Sequence, residues 1–217
     1  MIGAIVLAGG ASTRYGHDSK LLAWLAGRTV IARSVTVLDD QPVRPVIVVT
    51  GRERQRVRRA VQAQATGSRR YRWVHNPNYR SGMAESLRCG LGALPTRCDA
   101  ALIMLGDMPG IEKRTISRLC RLWRPGLDYV RPVCAGRPGH PVIVSRRLFP
   151  DLARLDGDRG AKAILDQVPA TRFRVLDAPA GCLRDVDTPA AARRAERSFN
   201  RGHSQNQTGT ISSSVVV

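Results

Sequence analysis

The sequence predicts a single α/β domain in three layers, with helices on both faces of a mostly parallel sheet. Two observations support this prediction. Short apolar runs rich in β-branched residues alternate with longer segments of helical period along most of the 217 residues. Several of these runs end in small or acidic residues, as is typical of the edge of a parallel sheet where ligands bind. We expect the domain to span residues 1–199, followed by a disordered polar tail over residues 200–217.

Composition narrows the possible classes of protein. A hydrophobic content of 43% is enough for a core, and no apolar stretch has the length of a membrane helix. The N-terminus has no basic leader followed by an apolar segment, so we expect a cytoplasmic protein. The five cysteines show no C-x-x-C spacing, which predicts reduced thiols rather than a zinc site or a disulfide framework.

The formal net charge is +18, and arginine accounts for nearly all of the cations. This bias is explained more simply by a generally basic surface than by a nucleic-acid interface, because no basic segment is interleaved with aromatic residues. The chain has three lysines, Lys20, Lys113 and Lys162. A lysine inside a motif is therefore more informative here than in an average protein.

The first stretch begins with a predicted buried strand, Ile2 to Leu7, and continues into a loop of small residues. Backbone N–H groups in such a loop can point at an anion. Arg14 and Lys20 follow, and both side chains suit phosphate oxygens. An ordinary glycine turn with solvated cations is the alternative. We predict a triphosphate cradle whose nucleotide-binding residues are Leu7, Ala8, Gly9 and Gly10, with Arg14 and Lys20 as catalytic cations.

The next segments predict a helix over residues 30–38, a strand over 46–49, a helix over 53–65 and a strand over 71–75. After Asn76, a turn leads to Gly82, and a helix begins near Met83. Ser86 lies one helical turn further and could meet a base or a phosphate. The alternative is an ordinary helix start that is capped by Ser81.

An apolar strand over residues 100–105 is predicted to end at Asp107. A carboxylate at this position lies where open α/β sheets bind ligands, and it suits Mg²⁺. A turn with helix capping is the alternative.

A helix over 115–123 and a strand over 128–133 follow. His140, in the loop after them, is a candidate for the substrate pocket rather than a general base, and a structural loop histidine is its alternative.

The remaining chain predicts a helix that opens within residues 155–162, a strand over 171–176 and a last helix that ends near Phe199. Asp185 and Asp187 precede that helix. We expect them to point to opposite faces of an extended segment, so that only one faces the site, and we favour Asp187. Helix capping by Asp187 is the alternative.

The string LAGGASTRYGHDSK resembles the signature L-A-[AG]-G-x-S-x-R-[MF]-G-x-x-K of the molybdenum cofactor nucleotidyltransferases, the MobA/MocA family. Tyr15 stands where Met is usual, and Lys20 lies one residue further from Arg14 than is common. The strings NPNYRSGMAESL, GDMP, GRPGHP and DVDTP also resemble family motifs and occur in the family's order. The resemblance covers about residues 1–199.

The resemblance implies a Rossmann-like, GT-A-like α/β/α nucleotidyltransferase domain. It also implies the reaction of CTP with a molybdopterin-type cofactor to give the cytosine dinucleotide cofactor and diphosphate. Mg²⁺ would be held by Asp107 and Asp187, and His140 would face the pterin. The residues implied for the nucleotide base pocket are Asn76, Ser81, Gly82, Met83 and Ser86.

Three alternatives remain open. The L-A-G-G form is more frequent in the guanylyl branch of the family, so GTP could replace CTP, and a sugar phosphate could replace the pterin. A non-catalytic carrier would instead deliver the cofactor to a molybdenum hydroxylase. A nucleic-acid-binding module rests on charge alone, and we expect neither a specific nucleic acid nor a membrane as partner.

Overall fold

The structure is a computed structural model that describes residues 1–10, 15, 19–65, 71–157 and 161–207. Arg14, one of the two predicted cradle cations, lies outside these described residues. Within them, no helix is both long enough and apolar enough to span a membrane.

Strands and helices alternate along the chain as predicted. The strands are β1 (Ile2–Ala8), β2 (Trp24–Leu25), β3 (Arg28–Thr29), β4 (Val46–Thr50), β5 (Tyr71–His75), β6 (Ala100–Leu105), β7 (Tyr129–Cys134), β8 (Arg137–Pro138), β9 (Val142–Ser145) and β10 (Phe173–Asp177). The helices are α1 (Val30–Thr36), α2 (Arg54–Gln64), α3 (Met83–Ala93), α4 (Lys113–Leu122), α5 (Phe149–Ala153), α6 (Lys162–Leu165) and α7 (Pro189–Gln207).

The main sheet has the strand order β10-β7-β9-β6-β1-β4-β5, with β8 paired to β7. The neighbours β6, β1, β4 and β5 are parallel, so their carboxyl ends meet at one edge of the sheet. The predicted mostly parallel sheet is confirmed. β9 was not predicted, and it runs antiparallel between β6 and β7. The short connection from β7 permits this pairing, whereas a parallel strand needs a long crossover.

Apolar layers cover both faces of the sheet. Along β4, Val46 and Val48 belong to the apolar cluster that also contains residues of α1, α2 and α4, while Ile47 and Val49 belong to the cluster that contains residues of α3, α5 and α6. The strand is therefore an unbroken apolar run, as expected for a strand that is buried on both faces. This arrangement gives the three predicted layers and leaves the strand ends as the natural place for a site.

A smaller cluster joins the two ends of the chain. Leu25 and Val30 pack against Val186 and Ala192, and the guanidinium of Arg33 lies 4.4 Å from the ring centre of Phe199. Just before α1, β2 and β3 form a hairpin that was not predicted. Helix α1 begins at Val30 as predicted, whereas α7 continues to Gln207, beyond the predicted end at Phe199. Residues 208–217 lie outside the described part of the chain.

Candidate active site

Two loops meet at the carboxyl edge of the sheet and hold Asp107 between them. The N–H of Gly106 donates a 2.9 Å hydrogen bond to the carbonyl of Leu7, at the end of β1. The N–H of Val186 donates a bond of the same length to the carbonyl of Asp107. A Cβ on Gly106 would lie 2.8 Å from Cδ1 of Ile31, so only glycine fits without a shift. The backbone that carries the Asp107 side chain is therefore held by hydrogen bonds on both sides.

Lys20 connects the two predicted metal ligands. Its Nζ lies 2.5 Å from Oδ2 of Asp107 and 2.5 Å from Oδ1 of Asp187. The side chains of Lys20 and Asp107 are each 15% exposed. Burial lowers the pKa of Lys20, but the two carboxylates outweigh this effect and the net pKa is raised. The lysine is thus a protonated, partly desolvated cation at the edge where β1 and β6 end.

Asp185 belongs to the same cluster, so the prediction that only one of the two C-terminal acids faces the site was wrong. Residues two apart in an extended segment share a face, while the residue between them points away. Val186, the intervening residue, is 1% exposed and packs in the apolar cluster behind. The pKa of Asp185 is raised by partial burial, by the charges of Asp187 and Asp107, and by a hydrogen bond with Asp187.

The carboxylates of Asp107 and Asp187 suit a divalent cation whose remaining ligands come from a bound substrate. Oδ1 of Asp107 is buried and has no hydrogen-bond partner among the described residues. No group of three or more His, Cys, Asp or Glu side chains in this part of the chain is arranged as a metal site. Mg²⁺ is commonly bound by one or two carboxylates together with substrate phosphates. Asp107 and Asp187 have that chemistry, and an all-protein metal cage is not seen in the described residues.

The glycine loop rests on a buried polar pair. Nδ2 of Asn76, which is 0% exposed, donates a 3.0 Å hydrogen bond to Oγ of Ser86. Oδ1 of Asn76 accepts a bond from the N–H of Asn78. A Cβ on Gly9 would lie 2.7 Å from Oγ of Ser86, so this pair also supports the loop backbone. Contact of either side chain with a nucleotide base remains a prediction.

The other predicted loop residues differ in exposure. Leu7 and Ala8 end β1, and Ala8 and Gly9 are buried. Gly10 is exposed, and a Cβ there would meet nothing within 4 Å. The backbone of Gly10 is therefore open to a ligand, as a phosphate-binding loop requires.

Helix α3 begins against the backbone of Gly157. Gly82 has a φ of +105°, and a Cβ there would lie 2.3 Å from the carbonyl carbon of Gly157. The N–H of Ala84 donates a 3.0 Å hydrogen bond to the carbonyl of Gly157. Ser81 is exposed and does not cap the helix, because Gly82 occupies the N-cap position. Met83, the first helical residue, is half-buried beside this contact.

His140 reaches the same edge of the sheet from the antiparallel strand β9. The backbone N–H of His140 donates a 2.9 Å hydrogen bond to the backbone carbonyl of Cys182. Burial lowers the pKa of His140, and the charge of Arg131 lowers it further, so the imidazole is neutral at pH 7. Its Nδ1 is buried and has no hydrogen-bond partner in the described chain. His140 was predicted as a site residue, whereas its neighbour Arg131 was not, although a lone arginine in an apolar strand is visible in the sequence.

Comparison with known proteins identifies the family. Residues 4–172 match the model of the MobA-like NTP transferase domain. The chain belongs to this family. The resemblance and the Rossmann-like nucleotidyltransferase fold that were predicted from the motifs are therefore confirmed.

Two relatives of this MobA-like chain carry the names of different enzymes. The chain is 33% identical over 175 residues to nicotine blue oxidoreductase of Paenarthrobacter nicotinovorans, covering 76% of this chain and 81% of that protein. It is 29% identical over 192 residues to the molybdenum cofactor cytidylyltransferase of Escherichia coli K12, covering 87% and 92%.

Solved structures agree with the family assignment. Rv0371c of Mycobacterium tuberculosis superposes with a TM-score of 0.76 at 29% identity, over 90% of this chain and 97% of that one. A complex of Rv0371c with manganese superposes with a TM-score of 0.72 at 28% identity, over 91% and 98%.

Proposed function

We propose that this MobA-like protein is a molybdenum cofactor cytidylyltransferase, which converts CTP and a molybdopterin-type cofactor into the cytosine dinucleotide cofactor and diphosphate. The observation that carries the proposal is the Lys20 ammonium between Asp107 and Asp187, beside the glycine loop. A similarity that covers 92% of the E. coli cytidylyltransferase supports the choice of substrates.

The reaction needs no nucleophile from the protein. An oxygen of the acceptor's terminal phosphate attacks the α-phosphorus of CTP, and the bond from that phosphorus to the bridging oxygen breaks. Diphosphate leaves with the electron pair of that bond. The protein's contribution is to align the two phosphates and to stabilise the charge that develops on the leaving group.

The glycine loop, the lysine and the two carboxylates have separate roles in this scheme. The backbone at Gly9 and Gly10 donates N–H groups to the triphosphate, and Lys20 exchanges its carboxylate partners for phosphate oxygens when the nucleotide binds. Asp107 and Asp187 would hold Mg²⁺, which supplies positive charge across the phosphate oxygens. Arg14, outside the described residues, remains a predicted second phosphate ligand.

The relatives add an oxidoreductase as a second candidate, because nicotine blue oxidoreductase is 33% identical to this chain. The geometry favours the transferase. A lysine held between two carboxylates next to a glycine loop suits a metal-bound triphosphate, and hydride transfer has no need of such a cluster.

The test is an incubation of the protein with each of the four NTPs, Mg²⁺ and molybdopterin, with products identified by mass and diphosphate measured in parallel. We expect a cytidylylated cofactor and one diphosphate per product. With CTP and GTP at equal concentration, CTP should be strongly preferred, because a pocket that pairs with one base edge leaves polar groups unpaired with another.

The other outcomes separate the alternatives. Mainly guanylylated product would overturn the choice of base and leave the reaction type standing. Turnover with a sugar phosphate but not with molybdopterin would overturn the acceptor. No diphosphate with any NTP would overturn the transferase and favour a carrier or an oxidoreductase.

A further inference from the structure

Strand β7 carries one charged side chain among apolar neighbours. Its sequence is YVRPVC, and Arg131 is half-buried on the face that bears Tyr129. The register with β9 pairs Tyr129 with Val144 and Val130 with Ile143. Continued by one residue, this register places Arg131 opposite Val142, two residues from His140.

The carbonyl of Pro132 accepts a 2.9 Å hydrogen bond from the N–H of Gly139, which extends the contact between the two segments. Arg131 therefore lies level with Val142 and Ile103 and is a neighbour of His140, which lies two residues closer to the carboxyl edge of the sheet. The charge of Arg131 acts on His140, as does that of Asp107. Arg131 lies on β7, His140 precedes β9 and Asp107 follows β6, and these strands are adjacent in that order. The distance across them from β7 to β6 is two strand spacings, or about 10 Å.

Arg131 has no carboxylate partner in the described chain. Its Nε is buried without a hydrogen-bond partner, like Nδ1 of the adjacent His140. The nearby acid, Asp166, forms a 2.9 Å ion pair with Lys162 instead. Burial lowers the pKa of Arg131, but a guanidinium remains charged at neutral pH. A partly desolvated cation without a partner is costly unless a bound anion offsets the cost.

We propose that Arg131, with His140 beside it, binds the terminal phosphate of the acceptor substrate and aims one of its oxygens at the α-phosphorus. The proposal rests on the proposed nucleotidyl transfer and names the acceptor class as a phosphate monoester dianion. The planar fork of arginine matches two oxygens of a phosphate. A neutral imidazole carries one N–H, and the His140 ring already forms a hydrogen bond with the backbone of Ile103, so Arg131 supplies the donors to the phosphate. In the strand order, β6 with Asp107 lies between β7 with Arg131 and β1 with the glycine loop. An acceptor phosphate at Arg131 would therefore approach from the side opposite the leaving diphosphate.

The test measures acceptor and nucleotide binding separately. The protein is saturated with Mg²⁺ and a CTP analogue that has a methylene group between the α- and β-phosphorus, which fills the triphosphate cradle without reacting. Phenyl phosphate is then titrated as a monoester probe by ³¹P NMR. The variant is Arg131→Gln, and the control is Arg174→Gln on the adjacent strand β10. Arg174 is exposed and bonds to the carbonyls of Thr171 and Phe173, so the control removes the same charge.

We expect Arg131→Gln to weaken phenyl phosphate binding by about 10- to 100-fold, the loss expected for charge-assisted hydrogen bonds. The affinity of Arg131→Gln for the CTP analogue should stay within about two-fold of the wild-type value. Arg174→Gln should change neither the affinity for phenyl phosphate nor that for the CTP analogue. Arg131→Lys should recover part of the binding, because it restores the charge without the fork. Thermal unfolding of each variant verifies that it is folded.

Three results would overturn the proposal. The first is that the wild type does not bind phenyl phosphate, and the second is that Arg131→Gln binds it as tightly as the wild type. The third is that Arg131→Gln loses affinity for the CTP analogue to the same extent, which would assign Arg131 to the triphosphate cradle. If the wild type binds no CTP analogue, the proposed function fails instead. The phenyl phosphate titration of the nucleotide-free protein then still decides whether Arg131 binds a phosphate.

Discussion

Nζ of Lys20 lies 2.5 Å from Oδ2 of Asp107, although the two residues are 87 positions apart in the chain. The same nitrogen reaches Asp187, which is 167 positions away. A cation from the first loop is thereby held at the carboxylates where a metal-bound triphosphate is proposed to sit. The contact with the two carboxylates favours the protonated form of Lys20 and holds its ammonium at the proposed triphosphate position.

Replacing Lys20 by Ala should lower turnover by about two to four orders of magnitude, the usual cost of a lost charge contact in the transition state. Steady-state rates with saturating CTP would measure the effect, and circular dichroism should show an intact fold. The control is Lys162→Ala, which removes an exposed lysine from an ion pair with Asp166. Near-normal rates in Lys20→Ala would exclude Lys20 from the mechanism.

Changing Asp107 to Asn should abolish the activity that depends on Mg²⁺ and leave the protein folded. The reason is that an amide is a poor ligand for a hard divalent cation and also weakens the contact with Lys20. Rates are measured across a range of Mg²⁺ concentrations, with exposed Asp177→Asn as the control. If Asp107→Asn keeps both its rate and its Mg²⁺ dependence, Asp107 is only a structural turn residue.

Replacing Asp185 by Asn should raise the thermal unfolding midpoint at pH 7. Its pKa in the folded protein is raised above the ordinary value of 3.8, so the ionised carboxyl is disfavoured by folding. That penalty is absent below pH 3.8, grows as the pH rises through the folded pKa, and is complete above it. The gain should therefore disappear in unfolding scans at acidic pH. An equal gain at both pH values would contradict charge repulsion as its cause.

The two loop glycines should respond differently to alanine. A Cβ at Gly9 would meet Oγ of Ser86 at 2.7 Å, whereas one at Gly10 meets nothing within 4 Å. We expect Gly9→Ala to lower the free energy of unfolding by about 1–3 kcal/mol, as overpacking does. Gly10→Ala should stay within about 0.5 kcal/mol of the wild type in urea denaturation.

A double variant tests the cause of the Gly9 effect. In Gly9→Ala combined with Ser86→Ala, the clash is relieved, so the total loss should be smaller than the sum of the two single losses. Strict additivity would show that the Gly9 backbone, rather than its contact with Ser86, sets the requirement for glycine.

Much of the fold follows from local pattern. β4 and β6 are almost entirely apolar runs, β5 has mixed apolar and polar residues, and the sequence predicts the bounds of all three within one residue. β9 was missed because a four-residue apolar run has no period of its own and its direction depends on the neighbouring strands. The hairpin of β2 and β3 was missed because Leu21 and Leu25 share a helical spacing even though they pack in different clusters.

The sequence by itself determined the family, the order of the elements and most members of the site, because motifs and periodicity are local properties of the chain. Only the tertiary structure decided how those members combine. It brought Asp185 into the cluster, joined Asn76 to Ser86 beneath Gly9, and placed Arg131 beside His140 with its Nε unpaired among the described residues. These relations join residues from separate strands and loops. They depend on strand order and register, which non-local packing sets and no single segment of the chain encodes.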